Sequence, residues 1–298
     1  MSKARLLWVN GELLPVGGSA LDPLDRGFTL GDGLFETMRV RGDTVLGIER
    51  HLFRLRVGAA VLGLSPLPKD KDLKDAIAKT LTANGLTEAA VRLSISRGVP
   101  KRRGLLPEPE PNPSMVIHAE PFTGYPAELY ERGARAVISG IRRNEHSPLA
   151  RVKSLNYLDN VLARHEAETR GADDALLLNT AGALACASAA NVFLLLDGAL
   201  VTPSAPSGAL PGTVRELITA EIAPRVGLEV VERTVRPEEL RVADEVFLTN
   251  ALMGILPLTE VDALLIGTGV PGPVSLKLRA RSERSESISS GFSFLADS

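Results

Sequence analysis

The chain has 298 residues, 34 Lys and Arg against 36 Asp and Glu, a net charge of −2 at pH 7, and 44% apolar against 23% charged residues. This length holds two ordinary domains or one large one with an ample core, and the composition excludes a mostly disordered chain. The near-neutral balance gives no basic field for nucleic acid or an anionic membrane. The lone cysteine, Cys186, excludes an internal disulfide, and no Cys/His spacing suits zinc, so no metal is expected. Basic residues are lopsided, 26 Arg to 8 Lys, so a lysine inside an apolar stretch stands out. The N-terminus turns polar at Asn10-Gly11, too early for a signal peptide. The longest uncharged run, Ala175–Leu196, is punctuated by Asn179, Thr180, Gly182 and Asn191 and reads as strands and turns, not a membrane span. A soluble protein of the reducing cytoplasm is expected.

In chain order, Leu6–Asn10 and Glu12–Val16 flank Asn-Gly and predict a hairpin. Phe35–Arg41 and Thr44–Ile48 predict strands around a Gly42-Asp43 turn. Apolar residues at 52, 55, 59 and 62 predict a helix over Glu49–Leu62 that ends at Gly63, and Lys71–Ala83 predicts a second, closed by Asn84-Gly85. Strands follow at Ala90–Ser96 and, after the Pro-rich loop Pro107–Pro113, at Ser114–Ala119. Pro121, Gly124 and Pro126 break all periodicity and mark a linker. Beyond it come strand Ala136–Gly140, helix Tyr157–Gly171, strands Ala175–Leu178, Val192–Leu196 and Ala199–Thr202, helix Thr213–Val226, and strands Glu229–Arg233 and Glu245–Thr249. The expected organisation is α/β: a smaller domain over residues 1–120, a linker over 121–130, a larger domain over 131–275, and a Ser/Arg-rich tail over 276–298 read as a helix end followed by disorder.

Gly267-Thr-Gly-Val-Pro-Gly272 matches a dinucleotide-binding pattern, but Pro271 and Pro273 argue against a helix starting where a pyrophosphate needs one. Gly31-Asp-Gly33 reads as a tight turn. The Gly98–Gly104 loop carries Lys101, Arg102 and Arg103 without a P-loop ending, leaving a solvated basic loop and an anion-receiving loop both open. Lys153 lies between Val152 and Leu155, where an extended segment enters a helix, while the other lysines lie in polar surroundings or the tail. It either snorkels to solvent or keeps a desolvated amine suited to Schiff-base chemistry.

Six segments in order carry a family resemblance: Asp25-Arg-Gly-Phe-Thr-Leu-Gly-Asp-Gly-Leu-Phe-Glu-Thr, His51-Leu-Phe-Arg-Leu55, Lys153-Ser-Leu-Asn-Tyr157, Ala189-Ala-Asn-Val-Phe193, Leu210-Pro-Gly-Thr-Val-Arg215 and Ala243-Asp-Glu-Val-Phe-Leu-Thr-Asn250. Together the chain resembles the fold-type IV, or class IV, pyridoxal-phosphate enzymes, which include branched-chain and D-amino-acid aminotransferases and aminodeoxychorismate lyase. The resemblance implies two mixed α/β domains of that architecture, pyridoxal 5'-phosphate as cofactor, a small amino substrate and a homodimer with active sites near the subunit boundary. It makes Lys153 the Schiff-base lysine and proton shuttle. Arg54 falls on the phosphate-binding arginine, whose planar fork suits that ligand. Thr213 and Val214 fall at a helix start that favours the same phosphate, with Val214 limited to its backbone. Thr249 matches a further phosphate contact, Tyr157 a hydroxyl beside the cofactor's phenolic oxygen, and Leu210 a residue packed on the ring face.

One departure concerns the ring nitrogen. Where the family carries a glutamate, five residues before Asn191, this chain has Cys186, a weak acid and a poor partner for a pyridinium. The expected electron sink is therefore weaker. Three features resemble the lyase branch: Asn250-Ala-Leu-Met, the pair Ile95-Ser-Arg-Gly98 and Arg103-Gly104, and Ser147-Pro-Leu-Ala150. The expected activity is conversion of 4-amino-4-deoxychorismate to 4-aminobenzoate and pyruvate. The alternatives are an aminotransferase for D-amino or branched-chain substrates and a weakly catalytic cofactor-binding homologue. A substrate with two carboxylates needs cations, and Arg39, Arg97, Arg102 and Arg103 are the candidates, the loop pair Arg102 and Arg103 first, with Phe35 and Asn250 beside the substrate.

Overall fold

The computed structural model describes residues 5–18, 21–288 and 292–294. The chain divides into two compact units: the described residues of Met1–Thr123, Val152–Asn156 and Ser290–Ser298, and Gly124–Arg151 with Tyr157–Ser289. The chain passes from the first unit to the second after Thr123. The Lys153 segment does not belong to the second unit, as the sequence reading had it; Val152–Asn156 returns to the first.

The first unit holds β1 (Leu6–Val9), β2 (Glu12–Pro15), α1 (Arg26–Leu30), β3 (Gly33–Arg41), β4 (Thr44–Val45), α2 (Ile48–Leu62), α3 (Asp70–Asn84), β5 (Glu88–Ser96) and β6 (Ser114–Pro121). A short strand, Phe292–Ser293, joins β4, and the antiparallel order continues β4-β3-β5-β6-β1-β2. Alternate residues of β3 and β5, among them Met38, Val40, Val91, Leu93 and Ile95, meet Leu52, Leu55, Leu73 and Ile77 of α2 and α3 in one core. Gly63 and Gly85 end these helices in left-handed conformations, as the sequence predicts. The expected strand Thr44–Ile48 stops at Val45, because Gly47 turns the chain into α2.

The second unit holds α4 (Ala127–Arg132), β7 (Ala134–Arg143), α5 (Leu158–Thr169), β8 (Asp174–Asn179), β9 (Leu184–Ala187), β10 (Asn191–Leu196), β11 (Ala199–Pro203), α6 (Thr213–Leu217), α7 (Ala223–Arg225), β12 (Val230–Arg233), β13 (Glu245–Asn250), β14 (Gly254–Val261), β15 (Leu264–Leu265) and α8 (Pro273–Ile288). Its mixed sheet runs β12-β11-β10-β13-β14-β7-β8-β9, with β15 on β14. The expected helix Thr213–Val226 is interrupted: α6 passes into a π-helical turn over Ile218–Ile222 before α7, next to Pro224, which lacks a helical N–H donor. Sequence reading missed β14, whose Pro257 argues against a strand. Pro257 sits opposite Phe247 of β13, and pairing with β7 begins only at Leu258.

Helix α8 corrects two expectations. It extends to Ile288, so the tail is helical well past residue 276; the expected disorder beyond 288 falls largely outside the described residues. It also starts at Pro273, since proline is tolerated in a first turn. The Glu245 carboxylate accepts the N–H groups of Val274 and Ser275, each at 2.8 Å, so this helix start is already capped by an anion from the protein.

Phe193 and Phe247 face each other on β10 and β13 with ring centroids 5.0 Å apart and 9° between planes, both fully buried. Phe247→Ala is expected to cost about 3–5 kcal/mol. Urea unfolding measures it; a loss below about 1 kcal/mol would show that the cavity collapses without penalty.

Candidate active site

In the first unit Val152–Asn156 runs antiparallel to the start of β3. The Phe35 N–H donates to the Lys153 carbonyl at 3.0 Å and the Leu155 N–H to the Gly33 carbonyl at 2.9 Å. A side chain on Gly33 would collide with the Ile95 carbonyl and Leu155, so glycine permits this approach. Val152 anchors the segment in the core. Lys153 Nζ thereby sits 4.4 Å from the centroid of the Phe35 ring, itself buried. The Arg92 guanidinium lies 3.7 Å from the same ring. Sequence reading missed Arg92; its signal was the alternation of β5, which puts a cation opposite Thr37 on the face that carries Phe35 and Arg39.

The next residue of β3 points the other way. Glu36 is fully buried and accepts Arg54 Nε at 2.9 Å, Arg54 Nη2 at 2.6 Å and His51 Nδ1 at 2.6 Å. His51 and Arg54 lie one turn apart on α2. Burial raises the Glu36 pKa, but the charge and hydrogen bonds of Arg54 and the bond from His51 overcome it and hold the group down at about 2. Burial lowers the His51 pKa against the pull of Glu36, so its imidazole is neutral at pH 7 and donates through Nδ1–H.

The candidate substrate arginines differ. Arg97 does not offer its guanidinium to a ligand: Nε donates to Asp32 at 2.8 Å, Nη1 to the Gly63 carbonyl at 2.9 Å and Nη2 to the Leu62 carbonyl at 2.7 Å, all with the residue buried. It is corrected to a structural clamp beside Arg26, which binds the same Asp32 and holds the carbonyls of Gly104 and Leu105. Arg102 and Arg103 lie in an exposed loop. Arg39 stacks 5.3 Å from the Phe122 ring and reaches the Thr123 carbonyl at 3.4 Å.

In the second unit four of the expected cofactor residues converge. Asn191 Nδ2 donates to the Leu210 carbonyl at 2.8 Å, and Asn191 stands opposite Thr249 across β10 and β13. A side chain on Gly212 would collide with Asn191 Oδ1. Thr213 and Val214 follow, buried at the start of α6. Thr249 is buried, and its Oγ1 has no hydrogen-bond partner among the described residues. A buried hydroxyl without a partner is costly unless a ligand supplies one.

Tyr157 and Asn250 line a cavity of about 660 Å³ with Tyr125, Asn160, Ser188 and Met253. The Asn250 side chain is engaged in its own turn, accepting the Leu252 and Met253 N–H groups and donating to the Ala189 carbonyl, so its first role is to shape that wall. Cys186 lies on β9 among Val137, Ala163, Ala167 and Leu177. Burial pushes its thiol pKa up, so the group is neutral at pH 7. Ser188 donates its hydroxyl to Asp174, whose own pKa burial raises. Among the described residues no cluster could hold a metal ion, and no helix is long and apolar enough to cross a membrane.

The family model for class IV amino-transferases matches residues 33–261. The chain is 30% identical over 284 residues to the branched-chain-amino-acid aminotransferase of Escherichia coli K12, covering 93% of this chain and 91% of that protein. The T.th. branched-chain amino acid aminotransferase solved with pyridoxamine 5'-phosphate superposes with a TM-score of 0.89 at 29% identity, covering 95% and 94% of the two chains. The 4-amino-4-deoxychorismate lyase of Pseudomonas aeruginosa superposes at 0.83 with 33% identity, covering 93% and 97%. The chain therefore belongs to the class IV aminotransferases, a family of enzymes that depend on pyridoxal 5'-phosphate. The buried Thr249 hydroxyl, without a partner among the described residues and across from Asn191, would suit that cofactor's phosphate.

Thr249→Val keeps the shape and removes the hydroxyl. The cofactor-free protein should be at least as stable in urea, while affinity for pyridoxal 5'-phosphate falls severalfold. Lost stability with unchanged cofactor affinity would assign the hydroxyl to the fold instead.

Proposed function

We propose that the protein is a pyridoxal-phosphate-dependent lyase that converts 4-amino-4-deoxychorismate to 4-aminobenzoate and pyruvate. The observation that carries this reading is that Lys153 and Arg92 both lie against the Phe35 ring, with Arg39 on the same face of β3. The amine assigned to the substrate's α-proton and one guanidinium thus share a single aromatic ring, with a second guanidinium further along the strand. A substrate with two carboxylates uses both, because planar forks match carboxylates. The Asn250-Ala-Leu-Met turn and the likeness to the Pseudomonas lyase support the same choice.

In this reading Lys153 is the catalytic base, and Arg54, Thr213, Val214 and Thr249 hold the phosphate. Leu210 would pack on the cofactor ring, Tyr157 would serve its phenolic oxygen, and Cys186 would take the position beside its nitrogen. When bound, the cofactor supplies the electron-withdrawing ring that accepts electrons as a bond at the α-carbon breaks. Lys153 removes the proton from the amine-bearing carbon. The freed electron pair forms the last double bond of the aromatic ring and expels enolpyruvate, which takes a proton and becomes pyruvate. Arg92 and Arg39 orient the carboxylates so that the leaving group is aligned. A neutral Cys186 would give the ring nitrogen no carboxylate partner, so the cofactor held here would supply a weaker electron sink.

The second reading is an aminotransferase for branched-chain or D-amino acids, favoured by the names of the E. coli and T.th. relatives. A homodimer belongs to either reading, supported by apolar side chains left in water on the first unit, Phe28 at 81%, Leu105 at 80% and Leu106 at 89% exposure.

The test supplies the cofactor-loaded protein with chorismate, glutamine and an amidotransferring synthase, and in parallel with L-leucine or D-alanine plus 2-oxoglutarate. Equal amounts of 4-aminobenzoate and pyruvate, with little keto acid from the amino acids, are expected. Keto acids without 4-aminobenzoate would establish the aminotransferase, and silence in both a cofactor-binding homologue.

A further inference from the structure

Glu36 lies next to Phe35 on β3, so the strand's alternation sends the ring toward Lys153 and the carboxylate into the opposite face. Both carboxylate oxygens are used on one partner: Oε1 accepts Arg54 Nε and Oε2 accepts Arg54 Nη2. His51 adds its Nδ1–H to Oε2. This bidentate fork fixes the plane of the guanidinium, and the carboxylate behind it is fully out of water.

We propose that Glu36 is a positioning residue for cofactor binding: it sets the Arg54 guanidinium in the orientation that receives the cofactor's phosphate, and His51 locks Glu36 in place. The proposal rests on the reading of Arg54 as a phosphate ligand.

Two opposing effects follow from removing the carboxylate. Loss of its charge raises the positive potential felt by a phosphate. Loss of its position frees the guanidinium. Position dominates here, because glutamine cannot take over the seat. Whichever way its amide is turned, its NH2 group faces an N–H of Arg54, since both original oxygens accept from that residue. A guanidinium left without its partner in a dry site moves toward water and away from the phosphate. Aspartate separates the two effects, keeping the charge and withdrawing the oxygens by one methylene.

The experiment titrates cofactor-free full-length protein with pyridoxal 5'-phosphate and with pyridoxal, for wild type, Glu36→Gln, Glu36→Asp, Arg54→Ala and the Glu36→Gln/Arg54→Ala double variant. Both Glu36 variants should weaken the phosphate ester by roughly tenfold or more, the worth of a charge-assisted hydrogen bond, and leave pyridoxal within about twofold. The double variant should bind no more weakly than Arg54→Ala alone, because both changes act on one contact. Equal losses for the two ligands would show a merely structural role. Glu36→Asp indistinguishable from wild type, or Glu36→Gln binding the ester more tightly, would show that charge alone matters and overturn the proposal. If Glu36→Gln does not fold, the Asp variant decides. If Arg54→Ala fails to change the ratio of the two affinities, the phosphate reading of Arg54 falls and this proposal with it.

Discussion

The pairing of Val152–Asn156 with the start of β3 is the constraint on which the proposed chemistry depends. Two backbone hydrogen bonds and the buried Val152 hold five residues against that strand. Without them the Lys153 amine has no fixed place near Phe35, and in the proposed reading a flexible lysine would be a poor proton carrier for one carbon of one substrate. The cost of the approach is a residue without a side chain at Gly33, and the DGLFET segment supplies it. The same strand then serves three purposes by simple alternation. Phe35 supports the amine, Glu36 secures Arg54 from the opposite face, and Arg39 projects a cation further along.

Arginine's excess over lysine has a physical explanation in this framework. Arg26, Arg97 and Arg143 each bridge two separate carbonyl groups or a carbonyl and a carboxylate. A rigid fork with several donors can tie loops together in this way, and an ammonium on a flexible stem cannot do so with the same geometry. Much of the arginine content is therefore structural, and in the proposed reading only Arg39, Arg54 and Arg92 meet cofactor or substrate.

Periodicity was sufficient to read α2, α3 and α5, whose apolar stripes pack on sheets, and the glycines that end α2 and α3. It failed where pairing overrides local signals. Strand β14 carries a proline, and α1 is a five-residue turn that no stripe can announce. The spatial neighbours of Lys153 were half visible. Motif order named Lys153, Arg54 and Phe35, but the candidate charge partners Arg39, Arg97, Arg102 and Arg103 included Arg97, which is consumed by Asp32 and two carbonyls, and omitted Arg92 inside a strand. Register between β3 and β5 is a long-range property, and only the fold reveals which strand residue shares a face with Phe35.

The central claim is that Lys153 is the amine that bonds covalently to pyridoxal 5'-phosphate. Its most direct measurement is the visible spectrum of wild type and Lys153→Ala after cofactor loading, followed by borohydride reduction and mass spectrometry. The account predicts a band near about 410–430 nm and a reduced cofactor adduct on the peptide containing Lys153 in wild type, with neither in the variant. An adduct on another lysine, or the same band and adduct mass in Lys153→Ala, would contradict it.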